Sequence, residues 1–424
     1  MNSFDRNSEK GQAIVYLVLG LVVFLGFVAL AIDGGMAMSN RRHGQNAADA
    51  AALAGGAAAA LQFEKYQDYY CEQEWSCTVV PDVENQAVSK AITRAGANGF
   101  TIEYDADLAD HNGVKYTCPS DITDWYKAYV DVKVDISGDS PSNFLQLVYP
   151  DALHYDVEAV ARARPNGPLL YGNAVVALNP SSCTGQLGVS FHGTGDVTIA
   201  GGGVFSNGCV RGDGAASVTV EAREDQDPNA DTLVIEGNDL KGEAGDVFTP
   251  TAQTVSDQIP SYAYDIKAPD CTGHWVTDND FPSDPDGLYC VTGNLTFKNG
   301  PYISGAHGVT IYMEDGDVTI NGNEEVRIHA PSVAYNGSIP GILFYVPFSN
   351  HATLKFNGTS NVEMTGTVFA PGSNIQLTGT NDVVSFKSSQ FIGWDVEVGG
   401  TQQTEIVYKG CDGYILPPSV ELNK

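Results

Sequence analysis

The sequence predicts a mixed fold: an amino-terminal transmembrane α-helix with an alanine-rich extension, a small α+β domain, then a mainly-β carboxyl-terminal domain. Three observations predict it. Ala13 to Ile32 is a run of twenty residues without a charge. Residues 81–165 mix one helical and several alternating phrases. From residue 169 the composition shifts to Gly, Asn, Thr, Val and Ile in short phrases that recur about every 20 residues.

At about 1.5 Å per residue the apolar run spans the roughly 30 Å hydrocarbon core of a bilayer. A secretory signal has a shorter apolar core and a small-x-small cleavage site, whereas this run ends at Asp33-Gly34-Gly35 and continues into helix-forming sequence. A retained anchor is therefore expected. "QNAADAAALAGGAAAA" holds ten alanines in its last fourteen residues. It should continue the helix after a break at Gly34-Gly35, as a stalk or as a close-packing surface. Residues 1–61 are assigned to this transmembrane and assembly helix.

Arg6 and Lys10 precede the run while Arg41 and Arg42 follow it, so flanking charge does not orient it. Cysteine usage does. All eight (Cys71, Cys77, Cys118, Cys183, Cys209, Cys271, Cys290 and Cys411) lie beyond residue 70. An even number in a β-rich segment predicts disulfides, an oxidising compartment and an extracytoplasmic carboxyl-terminal part. Local pairing suggests Cys183 with Cys209 and Cys271 with Cys290.

Residues 62–165 read as the α+β domain. "PDVENQAVSKAITRAGANG" starts at Pro81, keeps helical spacing through Val83, Ala87 and Ile92, and stops at glycine, while "AYVDVKVDI" alternates as a strand does. Asn166-Gly167-Pro168 reads as a linker.

Residues 169–424 carry "GDVTIAGGG", "GNLTFKNG", "GDVTINGN", "LKFNGTSN", "IQLTGTND" and "VEVGGTQQ". Turn glycines at Gly300 and Gly322, and again at Gly358, Gly379 and Gly399, are 20 to 22 residues apart. β-Branched alternation between such turns describes one coil of a right-handed parallel β-helix or solenoid. A β-sandwich is the alternative, since glycine turns at this density also suit hairpins.

Charge excludes one partner class. Residues 1–61 are balanced, which leaves 18 basic against 48 acidic side chains beyond them and places the net charge of −30 outside the membrane. Such a field repels nucleic acid and anionic head groups, and suits divalent cations. The best local constellation for a cation is "DQDPNADTLVIE", where Asp225, Asp227, Asn229, Asp231 and Glu236 follow the ligand spacing of a calcium loop. Ala230 takes the place of the loop glycine and helical flanks are absent, so a calcium-clamped β-turn is expected rather than an EF-hand. "DNDFPSDPDG", with Asp278, Asp280, Asp284 and Asp286, is a weaker candidate, and no other cofactor is implied.

Enzymatic β-helices need acids gathered with a basic residue on one face. Asp315, Asp317, Glu324, Glu325 and Asp382, with Arg327 and Lys387, are the residues to watch. Most flank turns, where acids are expected as solvated residues, and no catalytic residue is assigned. Arg211-Gly212-Asp213 is a three-residue adhesion-like match in a glycine-rich acidic chain.

The first sixty residues resemble a known family. Gln12 before the apolar run, Asp33-Gly34 at its end, Arg41 and Arg42, then Gln45, Asn46, Asp49 and Leu53 within "QNAADAAALA" fit the amino-terminal module of TadE/TadG-like Flp (Tad) pilus-assembly proteins. "NFLQLVYPDALHYDVEAVARARP" is similar to that family's closing strands, and residues 290–410, with "GTVFAPGSN", to β-solenoid domains of pilus-associated proteins. The chain departs from that pattern at two places. Tyr16 stands where a prepilin cut after Gly11 would carry glutamate, and "VDISGDSPS" has Asp139 where a von Willebrand A metal motif needs its second serine.

The resemblance implies a non-enzymatic, surface-exposed component of a Tad pilus or its assembly machinery, single-pass in a bacterial cell membrane. Its partners would be other Tad pilus or membrane components bound through the amino-terminal helix. The alternatives are a surface adhesin or glycan-binding module on the same anchor, and a polysaccharide-active β-helix enzyme.

Overall fold

The computed structural model of the chain describes residues 10–66, 74–105, 107–108, 112–122, 128–144, 152–181, 188–214, 217–221, 235–242, 248–249, 253–254, 266–298, 300–321, 325–358, 362–379 and 384–423. Backbone packing divides the chain into two compact units, residues 1–166 with 417–424, and residues 167–416.

Unit 1 is a long helix and a short one on an antiparallel sheet. Helix α1, Lys10–Lys65, runs without interruption through Gly34-Gly35, so the expected break is absent. Neither glycine has a positive φ. A bilayer-facing or packed helix holds glycine at a cost of about 1 kcal/mol, too small to end 56 residues of helix. Helix α2, Val83–Ala97, buries Val83, Ala87, Ala91 and Ala95 at strict four-residue spacing. Ile92, expected on that face, is half-buried beside it.

Strands β1 (Glu103–Tyr104), β2 (Gly113–Thr117), β3 (Val130–Ser140) and β4 (Leu153–Arg164) follow. The fifth strand, β5 (Ser419–Asn423), comes from the far end of the chain. The sheet order is β1-β2-β3-β4-β5, antiparallel except for β1 with β2. Val130, Val132, Val134 and Ile136 of β3 and Ala161 and Ala163 of β4 are fully buried. Cys77 and Cys118 form a disulfide in this unit. The sequence boundary at 169–424 assigned the last residues to the β domain. Backbone pairing of Ser419–Asn423 with β4 assigns them to unit 1, because hydrogen bonding rather than composition decides where a strand belongs.

Unit 2 is built almost wholly from parallel strand pairs. Its largest sheet runs, strand beside strand, through Trp275–Val276, Gly287–Val291, Val309–Met313, Ile342–Tyr345, Val362–Gly379, Ser389–Gly400, Val175–Ala177, Val204–Gly214, Ile235–Gly242 and Gln253–Thr254. The order is permuted. Val175–Ala177, early in the unit, pairs with Ser389–Gly400, near its end. The chain therefore begins mid-stack, advances to one end at Gln253–Thr254, resumes at the opposite end with Trp275–Val276, and returns to the middle. There Gly167–Pro168, read in the sequence as a linker, pairs antiparallel with Ile415–Leu416.

Alternation within each strand sends every second side chain inward. Register then stacks like on like: Leu295, Val318, Leu354, Ile375, Val396, Val189 and Val210 form one column. Phe297, Ile320, Phe356, Leu377, Val398 and Phe191 form the next. Each of these is at most 1% exposed. A glycine column, Gly358, Gly379, Gly400, Gly193 and Gly214, marks the turn. Gly400 (φ +141°) occupies the place expected for Gly399, and a side chain there would meet the backbone of Gly379. Cys271 and Cys290, 19 apart, join the terminal strand region to its neighbour.

A second apolar layer covers the outer side of the large sheet. Leu169, Leu170, Val176, Phe205, Ile266, Tyr345, Phe369 and Ile392 cluster there. The Tyr345 hydroxyl donates to the Ile266 carbonyl at 2.6 Å, so the described part of the connection between the two ends of the stack lies on this face.

Candidate functional site: the amino-terminal helix

Helix α1 divides by exposure. From Ile14 to Ile32 every side chain is exposed apart from half-buried Ala29, although the segment is strongly apolar, with a mean hydropathy of 2.9. Leaving so many large apolar side chains in water is unfavourable at roughly 25 cal/mol per Å². By length and composition the segment can cross a membrane.

The run ends in a buried carboxylate. Asp33 is 1% exposed. Its Oδ1 accepts from the Asn143 amide at 3.0 Å and its Oδ2 from the Phe144 amide at 2.9 Å. One turn-spaced series of further contacts follows. Asn40 Nδ2 donates to Ser140 Oγ at 2.8 Å. Gln45 Nε2 donates to both Asp49 Oδ1 at 2.8 Å and the Glu158 carbonyl at 2.9 Å. Gln45, Asp49, Glu158, Val160 and Leu422 line a cleft of about 510 Å³.

Beyond it the helix packs through small residues. Ala47, Ala48, Ala51, Ala52, Ala58 and Ala59 are buried, at the spacing of a single helix face. Gly55 permits the closest approach: a Cβ there would stand 2.7 Å from Val132 Cγ1 of β3 and 2.9 Å from the Ala87 carbonyl of α2. A Cβ on Gly56 would stand 2.9 Å from Val420 Cγ1 of β5, and one on Gly44 2.8 Å from Tyr155 of β4. Close helix packing needs small side chains at the contact.

Residues 11–59 match the family model for putative Flp pilus-assembly TadE/G-like proteins. No curated protein and no solved structure matches the chain.

The TadE/G-like module thus coincides with α1, and its signature residues divide by role. Asp33 and Gln45 tie the helix to the rest of unit 1, and Asp49 accepts from Gln45 within the helix. Arg41, Arg42, Asn46 and Leu53 are exposed, and the spacing of Arg42, Asn46 and Leu53 sets these three on one helix face away from the buried alanines. Gly34 has open space where a Cβ would be. The side chain of Gln12 lies outside the described residues. Sequence reasoning missed Gly44, Gly55 and Gly56 as contact points; the available signal was glycine placed inside an alanine-rich helix, where propensity alone disfavours it.

The acidic candidates of unit 2 go mostly to structure. Asp278 Oδ1 accepts from the Thr296 amide at 2.7 Å and Oδ2 pairs with Lys298 Nζ at 2.8 Å. These bonds to Lys298 and Thr296 lower the Asp278 pKa against the opposing effect of burial, which is the largest influence on it. Asp286 is bonded twice by His307, which lowers its pKa. Asp280 accepts from Thr277 Oγ1, Asp315 from the Gly293 amide and Asp317 from the Thr353 amide. Four of these acceptors, Asp278, Asp286, Asp315 and Asp317, tie one strand region to its neighbour in the stack.

Glu325 pairs with Arg327 at 3.2 Å and Lys387 with Glu363 at 3.8 Å, and register sets Arg327 opposite Glu363, so these acids are matched by basic partners in one surface row. Glu324 and Asp382 lie outside the described residues. So do Asp225, Asp227, Asn229 and Asp231 of the calcium-loop expectation; Glu236 lies in the strand Ile235–Gly242. Among the described residues no group of three His, Cys, Asp or Glu side chains could hold a metal ion. Arg211-Gly212-Asp213 lies within the strand Val204–Gly214, with Arg211 and Gly212 paired on both sides and Asp213 paired with His192, and not at a loop tip. Cys183 is outside the described residues, while Cys209 and Cys411 are each disulfide-bonded.

Proposed function

We propose that the chain is a non-enzymatic, membrane-anchored and surface-exposed component of a Tad/Flp-type pilus or of its assembly machinery, minor-pilin-like or accessory. In this reading 14–32 crosses the cell membrane once, both units lie outside the cytoplasm, and unit 2 is a displayed right-handed β-solenoid. The observation that carries it is the TadE/G-like match on a helix whose apolar first half is bare and whose second half is packed. The free face with Arg42, Asn46 and Leu53 is the surface offered to other subunits. In-register parallel columns in unit 2 support the solenoid. The test is to separate surface filaments from membranes and identify this chain by mass spectrometry. It is expected in one of these fractions with its first thirty residues intact. Recovery as a free protein lacking them overturns the reading, and an amino terminus at Gln12 replaces the retained anchor with a processed one.

Calcium at Asp225, Asp227, Asn229, Asp231 and Glu236 is a separate proposal, supported by the alternation of oxygen-bearing side chains in an acidic chain. Calcium at a hundredfold excess over its Kd would add about 2.7 kcal/mol of stability, removed by Asp225→Ala with Asp227→Ala. Superimposed melting curves with calcium and with chelator would dispose of the site.

A further inference from the structure

Unit 1 contains one pairing whose partners are separated by the whole of unit 2. Strand β4 ends at Arg164 and the chain leaves for Gly167–Leu416 before Ser419–Asn423 comes back to lie along β4. The register sets Ser419 opposite Arg164, Val420 opposite Ala163 and Asn423 opposite Val160. Val420 packs over Gly56 of α1, Leu422 lines the cleft with Gln45 and Asp49, and Glu421 approaches Arg164 at 3.7 Å. The last strand therefore closes the helix-to-sheet contact of the module that carries the anchor.

Two features make β5 a closing element rather than a nucleus. It is the outermost strand, five residues long, and alternates between exposed and half-buried positions, so β1 to β4 pair with one another without it. Its pairing with β4 is also the strand pairing most distant in sequence within unit 1, and closing so long a loop is entropically the costliest and slowest pairing. Until it forms, β4 presents a bare edge, the kind of surface that recruits foreign strands.

We propose that β5 is a completion clasp: the anchored module stays open along β4 and over Gly56 until the segment that follows unit 2 is available, and the open groove accepts that strand specifically. A chain whose synthesis or export stops within unit 2 keeps the groove open.

The test compares the full chain in detergent micelles with a chain ending at Leu416, by hydrogen exchange. The expected result is amide exchange about tenfold faster in residues 160–164 of the shortened chain, with unchanged protection where β2 pairs with β3. A synthetic peptide of residues 417–424 should restore slow exchange. A second, full-length variant, Val420→Asp with Leu422→Asp, should open the same residues. The clasp is overturned if residues 160–164 exchange equally in both chains, or if the peptide fails to restore them. It is also overturned if either variant loses β2–β3 protection, since β5 would then be integral to the sheet.

Discussion

The two units solve the problem of burying apolar surface in opposite ways. Unit 1 brings a helix against a sheet by removing side chains: its contact is alanine and glycine, with Gly55 close to both β3 and α2. Unit 2 fills its interior with large side chains held in register, Phe on Ile on Phe, strand after strand. Unit 1 should therefore be most sensitive to added volume and unit 2 to removed volume. That difference can be broken by four measurements, each made as denaturant unfolding of the full chain in micelles and, for the disulfide, by hydrogen exchange as well.

The largest effect is expected from Phe391→Ala, because Phe391 is fully buried between Phe356 and Phe386, at ring distances of 6.2 and 5.3 Å. The loss should be about 3–5 kcal/mol. A loss below 1 kcal/mol would mean that the columns can collapse around a void, and the contrast with unit 1 would fail.

Opening the Cys271–Cys290 disulfide with a Ser pair should cost about 3 kcal/mol for a loop of this size. Hydrogen exchange should rise first at Trp275–Val276, the terminal strand that pairs with Cys290–Val291. Uniform exchange increases across unit 2 would show that the stack has no separable end.

Gly55→Leu should destabilise unit 1 by about 1–3 kcal/mol through overpacking. The matched control is Gly96→Ala in α2, where nothing lies within 4 Å of a Cβ and helix propensity should add up to about 1 kcal/mol. Equal signs for the two substitutions would refute close approach as the reason for glycine at position 55.

The smallest effect concerns charge at the surface of unit 1. His154 hydrogen-bonds Asp139 at 2.9 Å across the β3–β4 pair and Asp156 at 3.1 Å. The bond to Asp139, with these acids' charge, raises the imidazole pKa above its ordinary 6.5. A raised folded pKa stabilises the fold below the unfolded value and loses that contribution as pH rises through the folded one. His154→Gln should thus lose more stability at pH 5.5 than at pH 8, with the difference shrinking in high salt. A pH-independent difference would assign His154 to packing alone.

What the sequence disclosed follows the same division. The apolar run, its Asp33 end and the twenty-residue recurrence were legible because each is a local pattern repeated in one stretch of chain. Gly399 was expected at the turn column, and Gly400 occupies it, since a one-residue choice between adjacent glycines is settled by the neighbouring strand. The permuted stacking order and the return of β5 were not legible, because they join segments with no local signal of each other. Asp33 illustrates the limit: the residue was identifiable, but its partners, the amides of Asn143 and Phe144, are backbone groups that every residue type carries. For Asp315 and Asp317 turn position was legible, and Asp278 and Asp286 were read as a weaker cation site, while the fact that each bonds a neighbouring strand region needed the fold.

The permuted order has a consequence for how this protein can vary. Both connections to unit 1 leave from the middle of the stack, beside the Gly167–Pro168 and Ile415–Leu416 pair, and both extremities of the stack are interior to the chain. A lineage can therefore duplicate or delete strand layers at either extremity while the junction stays as it is. The length of the β unit becomes a quantity adjustable in two directions, decoupled from the anchor that carries it.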